Sequence, residues 1–115
     1  MTGRSVQRRL YPLGQQRADH MIAVLTHHWA KPDKIEAAKK LLDGNGEAQS
    51  RAPGFVSRQT LVGIADPTKI TTLVVWKDNA IYDAWRASPE RAKAMAGADQ
   101  LWAQPPQSER FTVAE

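Results

Sequence analysis

Residues 55–76 read FVSRQTLVGIADPTKITTLVVW. Two β-prone runs, Phe55–Ile64 and Ile70–Trp76, flank Asp66-Pro67-Thr68, a turn-forming trio. The second run is dense in β-branched side chains, which suit a pleated, packed surface. A short turn between two such runs predicts an antiparallel hairpin. Upstream, Met21–Trp29 (MIAVLTHHW) is a third β-prone run, closed by Lys31-Pro32-Asp33. Between it and the hairpin, Ile35, Ala38, Leu41 and Leu42 recur three and four apart, with Lys34, Glu36, Lys39 and Lys40 opposite. That spacing is one face of an amphipathic helix from Asp33 to about Arg51. Gly44 and Gly46 threaten its continuity, and Pro53-Gly54 ends it. Downstream of the hairpin, Asp78 or Asn79 is placed to cap a second helical region. There Ile81, Tyr82, Trp85, Ala92, Met95 and Ala96 keep the helical period, with a bend expected at Ser88-Pro89. Residues 97–107 read as irregular, with Pro105-Pro106 forcing extension, and Glu109–Ala114 as a short final strand. The order β-α-β-β-α-β is that of a ferredoxin-like α+β domain, an antiparallel sheet with its helices on one face.

A chain of 115 residues suits one domain of this kind. The 42% hydrophobic and 24% charged fractions argue for a folded core and against wholesale disorder. With no cysteine, disulfides, iron–sulfur clusters, thiolate zinc sites and a cysteine nucleophile are all excluded. No apolar run approaches the ~20 residues of a membrane span, so no membrane partner is expected and a cytoplasmic setting is. The net charge of +4 is unevenly placed. Residues 1–20 carry four arginines (Arg4, Arg8, Arg9, Arg17) against Asp19, whereas residues 21–115 carry 12 basic and 11 acidic side chains. A nucleic-acid-binding domain concentrates its excess on the folded part. Here that part is nearly neutral, so no nucleic-acid partner is expected. The division is therefore a basic, irregular arm over 1–20 and a domain over 21–115. The arm lacks the apolar core of a secretory signal. It reads as an irregular extension, a segment that docks on a partner subunit, or a stretch upstream of a start at Met21.

Alternation along Met21–Trp29 puts Ile22, Val24, Thr26 and His28 on one face, and Ala23, Leu25, His27 and Trp29 on the other. Both faces of this strand and of Ile70–Trp76 are substantially apolar, as in strands buried on both sides. Helices cover one face only. A homodimer that packs sheet against sheet covers the other. The two adjacent histidines point to opposite faces, so they do not chelate one metal together. No histidine or carboxylate trio has metal-ligand spacing, and no metal is expected. His28 shares the face of Thr26. It is a candidate general base on a phenol, with an ordinary pKa of about 6.5, or a strand-end histidine bonded to backbone. Arg51 and Arg58 read as surface residues, and Trp29 and Trp102 as covers of core edges or of the dimer seam. No dinucleotide fingerprint, Walker loop, nucleophile elbow or EF-hand loop is present.

The segment APGFVSRQTLVGIADPTKITTLVVWKDNAIYDAWRASPE resembles the antibiotic biosynthesis monooxygenase family, within the dimeric α/β-barrel superfamily. The resemblance is carried by Pro53-Gly54-Phe55, Asp66-Pro67, Trp76, Ala84-Trp85 and Ser88 in that order, and covers about residues 21–115. It implies a dimeric α/β barrel. For some members it also implies oxidation of aromatic polyketides or quinols by O2 without metal, flavin or haem. In the anthrone-oxidising branch a Trp ending strand three, a Tyr six residues later and an Asn four residues before that Trp line the pocket. Trp76 and Tyr82 match, but Thr72 stands in place of the Asn, and the Arg of the following helix falls at Met95 or Ala96. A haem-degrading branch uses an Asn on strand one, a Trp on the second helix and a His ten residues later. Trp85 matches that Trp, while Thr26 and Met95 occupy the other two places. A lone thioether is a poor sole iron ligand, which sets haem degradation in third place. The expected function is thus a cofactor-independent monooxygenase acting on a small phenol, quinol or anthrone-type compound. Its catalytic candidates are Tyr82, Trp76 and His28, and its substrate-binding candidates are Thr26, Thr72, Val74, Trp85 and Met95. The alternative is a non-catalytic homodimer of the same fold that binds a small ligand. In it Trp85 and Tyr82 serve as core packing.

Overall fold

The computed structural model describes residues 20–114, so the arm expected over 1–20 lies outside the described residues apart from His20. The elements run β1 (Ile22–Ala30), α1 (Ile35–Ser50), β2 (Phe55–Val62), β3 (Lys69–Trp76), α2 (Asn79–Arg86), α3 (Pro89–Ala94), a 3-10 turn (Ala98–Gln100) and β4 (Trp102–Thr112). The sheet order is β2-β3-β1-β4 with every neighbouring pair antiparallel, the ferredoxin-like arrangement. The hairpin turn forms as its residues dictate, with Asp66 Oδ1 accepting from the Thr68 N–H at 3.1 Å. Asp78 caps α2, its carboxylate accepting from the Ile81 N–H at 2.8 Å.

One local expectation is met and two are corrected. The helix α1 runs through Gly44 and Gly46 unbroken. Gly46 has a packing reason, because a Cβ there would collide with the Arg58 side chain. The bend at Ser88-Pro89 is a full break: Ser88 Oγ accepts from the Arg91 N–H at 3.1 Å and Pro89 opens a new helix. The last strand begins at Trp102, well before Glu109, and passes through Pro105-Pro106. As an edge strand β4 has a free side on which proline removes no ladder bond. A register shift between His27 and Trp29 absorbs the extra residue. Gly54 closes the α1–β2 connection at φ 80°, where Ile81 occupies the space of a side chain.

The helix-side core falls into two apolar clusters. One holds Ala30, Ala38, Leu42, Ile70, Ala98 and Trp102. The other holds Ile22, Val24, Val74, Trp76 and Trp85. Trp102, expected at an edge or a seam, is 8% exposed and belongs to the first. Between the clusters each element turns polar: Thr26 and His28 on β1, Thr72 on β3, Asn45 and Gln49 on α1. Buried polar groups cost free energy unless partnered, so a polar layer across a small core marks the place to look for chemistry. The other sheet face has no helix on it. There Leu25 pairs with Leu73 and Ala23 with Val75, while Leu61 and Phe111 are 47% and 43% exposed. Among the described residues no helix is long and apolar enough to cross a membrane.

Candidate functional site

The polar layer encloses an inner chamber of about 60 Å³ between the sheet and α1. It adjoins an outer chamber of about 490 Å³ that opens between α3, the 3-10 turn and β4. Thr26, His28, Tyr82, Arg91 and Met95 line both. Thr72, Val74 and Trp85 line the inner one only. Seven of the side chains singled out from the sequence therefore meet in one place. Trp76 does not join them. It is fully buried behind the cavity, stacked 5.9 Å from Trp85, 5.8 Å from Tyr82 and edge-on to Phe55. Its indole Nε1 has no hydrogen-bond partner. Trp76 forms the floor that carries Tyr82 and Trp85.

His28 is held by one hydrogen bond and one ring contact. Its Nδ1 lies 3.0 Å from the Ile70 carbonyl. A carbonyl only accepts, so Nδ1 carries the proton and the neutral ring leaves its lone pair on Nε2. The Trp102 ring packs against it at 4.9 Å. Burial pushes the His28 pKa below its ordinary value, and the charges of Arg58 and His27 add to the fall against the pull of the Ile70 carbonyl. A neutral imidazole with a free lone pair, set in a cavity wall, is able to accept a proton at neutral pH.

Tyr82 is half-buried, with the Arg110 guanidinium 4.7 Å above its ring. Arg110 also donates to Asn79 Oδ1 at 2.7 Å and pairs with Asp83 at 2.9 Å, which ties β4 to α2. Thr26 and Ser108 hydroxyls are 3.0 Å apart on the same wall. Arg58 is not a surface residue. Its side chain lies across α1 in the space left by Gly46, donating from Nη1 to Gln49 Oε1 at 2.6 Å and from Nη2 to the Leu42 carbonyl at 2.8 Å. Burial lowers its pKa and Asp43 opposes the shift, yet a guanidinium stays charged. With Asn45 and Gln49 it forms the polar end of the inner chamber. Arg91 stands one helical turn before Met95, so an arginine lines the cavity although Met95 occupies the position matched by the resemblance. Arg58, Arg86 and Arg91 against Asp99 make the combined cavity electropositive.

A larger groove of about 760 Å³ runs along the outside of α1, α2 and α3, separated from the inner chamber by Trp85. Its walls are apolar with Lys40, Arg51, Glu90 and Lys93 at the rim, and it contains no histidine. His28 and Tyr82 lie on the other side of Trp85. Among the described residues no group of three or more His, Cys, Asp or Glu side chains is placed to hold a metal ion.

Residues 21–97 match the family model for antibiotic biosynthesis monooxygenases. No curated protein matches the chain. Solved structures do. A candidate antibiotic biosynthesis monooxygenase from Nitrosomonas europaea superposes with a TM-score of 0.77 at 22% identity, over 83% of this chain and 91% of that one. A conserved protein from Methanosarcina mazei gives 0.76 at 16% identity, over 85% and 97%. A mutant of SnoaB, a cofactor-independent oxygenase from Streptomyces nogalater, gives 0.75 at 14% identity, over 84% and 95%. At such identities the likeness is one of fold.

Proposed function

The chain belongs to the antibiotic biosynthesis monooxygenase family, and on that premise we propose that it oxidises a small electron-rich aromatic compound with O2 in the cavity beside His28. The observation that carries this reading is His28 itself, a buried neutral base whose lone pair lies on Nε2 in the wall of an electropositive pocket. The outer chamber falls within the roughly 300–1,000 Å³ of small-molecule sites, and it receives the ring system against Tyr82, Met95 and Trp102. A phenolic or enolic hydroxyl donates its proton to His28 Nε2. The Nδ1–H bond to Ile70 keeps the imidazolium in place, and Arg91 faces the oxyanion. The deprotonated ring is electron-rich enough to reduce O2 directly, first by one electron, and the radical pair combines to form a carbon–oxygen bond. In an anthrone-type substrate the ring methylene loses both hydrogens and the oxygen–oxygen bond breaks. One oxygen then remains as the carbonyl and the other leaves as water. Four electrons pass from the carbon to O2, which balances the step without another reductant.

The dimer belongs to the same proposal. The uncovered sheet face, with Leu25, Leu73, Val75 and Phe111, is the surface that a second copy buries. Sedimentation at micromolar concentration is expected to give the mass of two chains. A monomer mass removes the dimer but leaves the cavity chemistry intact.

Oxygen uptake tests the activity. The purified protein is assayed with chelator present against anthrones, quinols and naphthols, with heat-denatured protein as the blank. Uptake above the blank, with one atom of labelled O2 retained in the product, is the expected result. Saturable binding of these compounds without uptake transfers the site to the second reading, a ligand-binding dimer. The loss of the expected Asn to Thr72 is the observation that favours it.

A further inference from the structure

The groove of about 760 Å³ on the far side of Trp85 has a shape and a charge that the chemistry beside His28 does not use. Its volume is that of a small-molecule site. Along α1 and its C-terminal end the wall is Leu41, Gly44, Ala48 and Ala52, three and four residues apart. This is a different face of the helix from the buried Ala38, Leu42, Asn45 and Gln49. Ile81, Ala84 and Trp85 of α2 stand opposite. Gly44 is the informative member. A glycine inside a helix is costly relative to alanine. Gly46 has its reason in Arg58, whereas a Cβ on Gly44 would meet no atom within 4 Å. Its missing side chain leaves the groove open where a larger residue would fill it.

The charge is as specific as the shape. Lys40, Arg51 and Lys93 line the groove against Glu90 alone, and among the described residues none of the three cations is in a salt bridge. Lys40 and Lys93 stand on α1 and α3, which pack together, so two like charges gather at one end of an apolar trough. An anion there offsets their repulsion. From Lys40 to Arg51 the trough follows α1 for about 16 Å, at ~1.5 Å per residue. An extended alkyl chain with bonds of ~1.5 Å advances about 1.25 Å per carbon, so about ten to twelve carbons span it. The basic arm does not match, because its four arginines against Asp19 have the sign of the rim. A bilayer does not match either, since a concave trough between helices takes a single chain.

We infer that the groove is a binding site for a free medium-chain alkyl carboxylate, its chain along Gly44 and Ala48 and its carboxylate between Lys40 and Lys93. The site is separate from the cavity beside His28 and does not depend on the reaction assigned there.

Amide NMR titration of the full chain tests it with decanoate, decanol and decyltrimethylammonium, each below its micellar concentration. Decanoate is expected to shift the Gly44, Ala48 and Ala84 amides saturably. It is expected to bind at least ~3-fold more tightly than decanol, the scale of exposed ion pairs, with decyltrimethylammonium weaker than both. In about 1 M salt, where screening sets in at ~3 Å, the preference shrinks. Lys40→Gln with Lys93→Gln erases the preference and leaves decanol binding unchanged. Gly44→Leu fills the trough and lowers the affinity for decanoate and decanol alike by ~10-fold or more, while its gain in helix propensity protects the fold. Gly44→Ala raises the urea midpoint and weakens binding less. Equal affinity for the three ligands overturns the inference, as does binding that survives Gly44→Leu. Shifts confined to Thr26 and His28, or to Leu25 and Leu73 on the uncovered sheet face, overturn it by placing the chain elsewhere. Groove amides that respond to a peptide of residues 1–20 but not to decanoate make the arm the occupant and overturn it too. Each of these failures leaves oxygen uptake beside His28 standing.

Discussion

Replacing His28 by glutamine is expected to lower turnover by about 10²- to 10⁴-fold, the usual contribution of a positioned general base, while leaving aromatic binding nearly unchanged. Glutamine fills much of the space and keeps an amide N–H for the Ile70 carbonyl, but it has no lone pair basic enough to take a proton. The pH dependence separates this role from packing. Burial lowers the His28 pKa, so in the wild-type protein kcat/KM is level through neutral pH and falls only below the ordinary histidine value of about 6.5. The groups that bear on that titration are Arg58 and His27, which lower it further, and the Ile70 carbonyl, which opposes them. The acid limb disappears in His28→Gln. Stability follows the same sign. The folded state favours the neutral ring, so the stability His28 contributes is complete above about pH 6.5, and it is lost as pH falls from there toward the lowered native value. A turnover loss below threefold in His28→Gln contradicts the base assignment.

Trp76→Ala is expected to cost about 3–5 kcal/mol, measured as a fall in the urea midpoint at constant slope. That is a large share of the ~5–15 kcal/mol that holds a domain together. The indole is fully buried between Phe55, Tyr82 and Trp85, and nothing nearby can collapse into the space without moving the wall of the cavity. Trp76→Phe is expected to cost much less. The Nε1 group has no partner, so phenylalanine orphans no acceptor and removes an unsatisfied donor along with its volume. A Trp76→Phe variant as unstable as Trp76→Ala contradicts this account of the floor.

Most of the fold is legible in local patterns. The hairpin follows from Asp66-Pro67 between two β-prone runs, and α2 from Asp78 ahead of a helical stripe. The missed half of β4 has a physical reason. Paired prolines argue against a strand from local rules, but an edge strand needs bonds on one side only. The site divides along the same line. Thr26, His28, Thr72, Val74, Tyr82, Trp85 and Met95 come together because strand alternation and helix period assign them to the helix side of the sheet. The stripe Ala38, Leu42, Asn45 and Gln49 on α1 carries the missed signal, since its buried face turns polar after two apolar residues. Arg58 was beyond local reading: its role depends on crossing to a helix glycine twelve residues upstream, a contact that only the assembled fold creates. Trp76 shows the opposite limit. The residue matched by family resemblance is present, but packing turns it into support for the cavity wall.

The most direct measurement is a nitrogen NMR titration of the histidine side chains with an anthrone-type substrate analogue under nitrogen. The account predicts that His28 is neutral at pH 7 with its proton on Nδ1. It also predicts that ligand shifts its Nε2 resonance while leaving Ala84 and Lys93, on the groove beyond Trp85, undisturbed. A charged His28 at pH 7, or a ligand that perturbs that groove and leaves His28 unchanged, contradicts it.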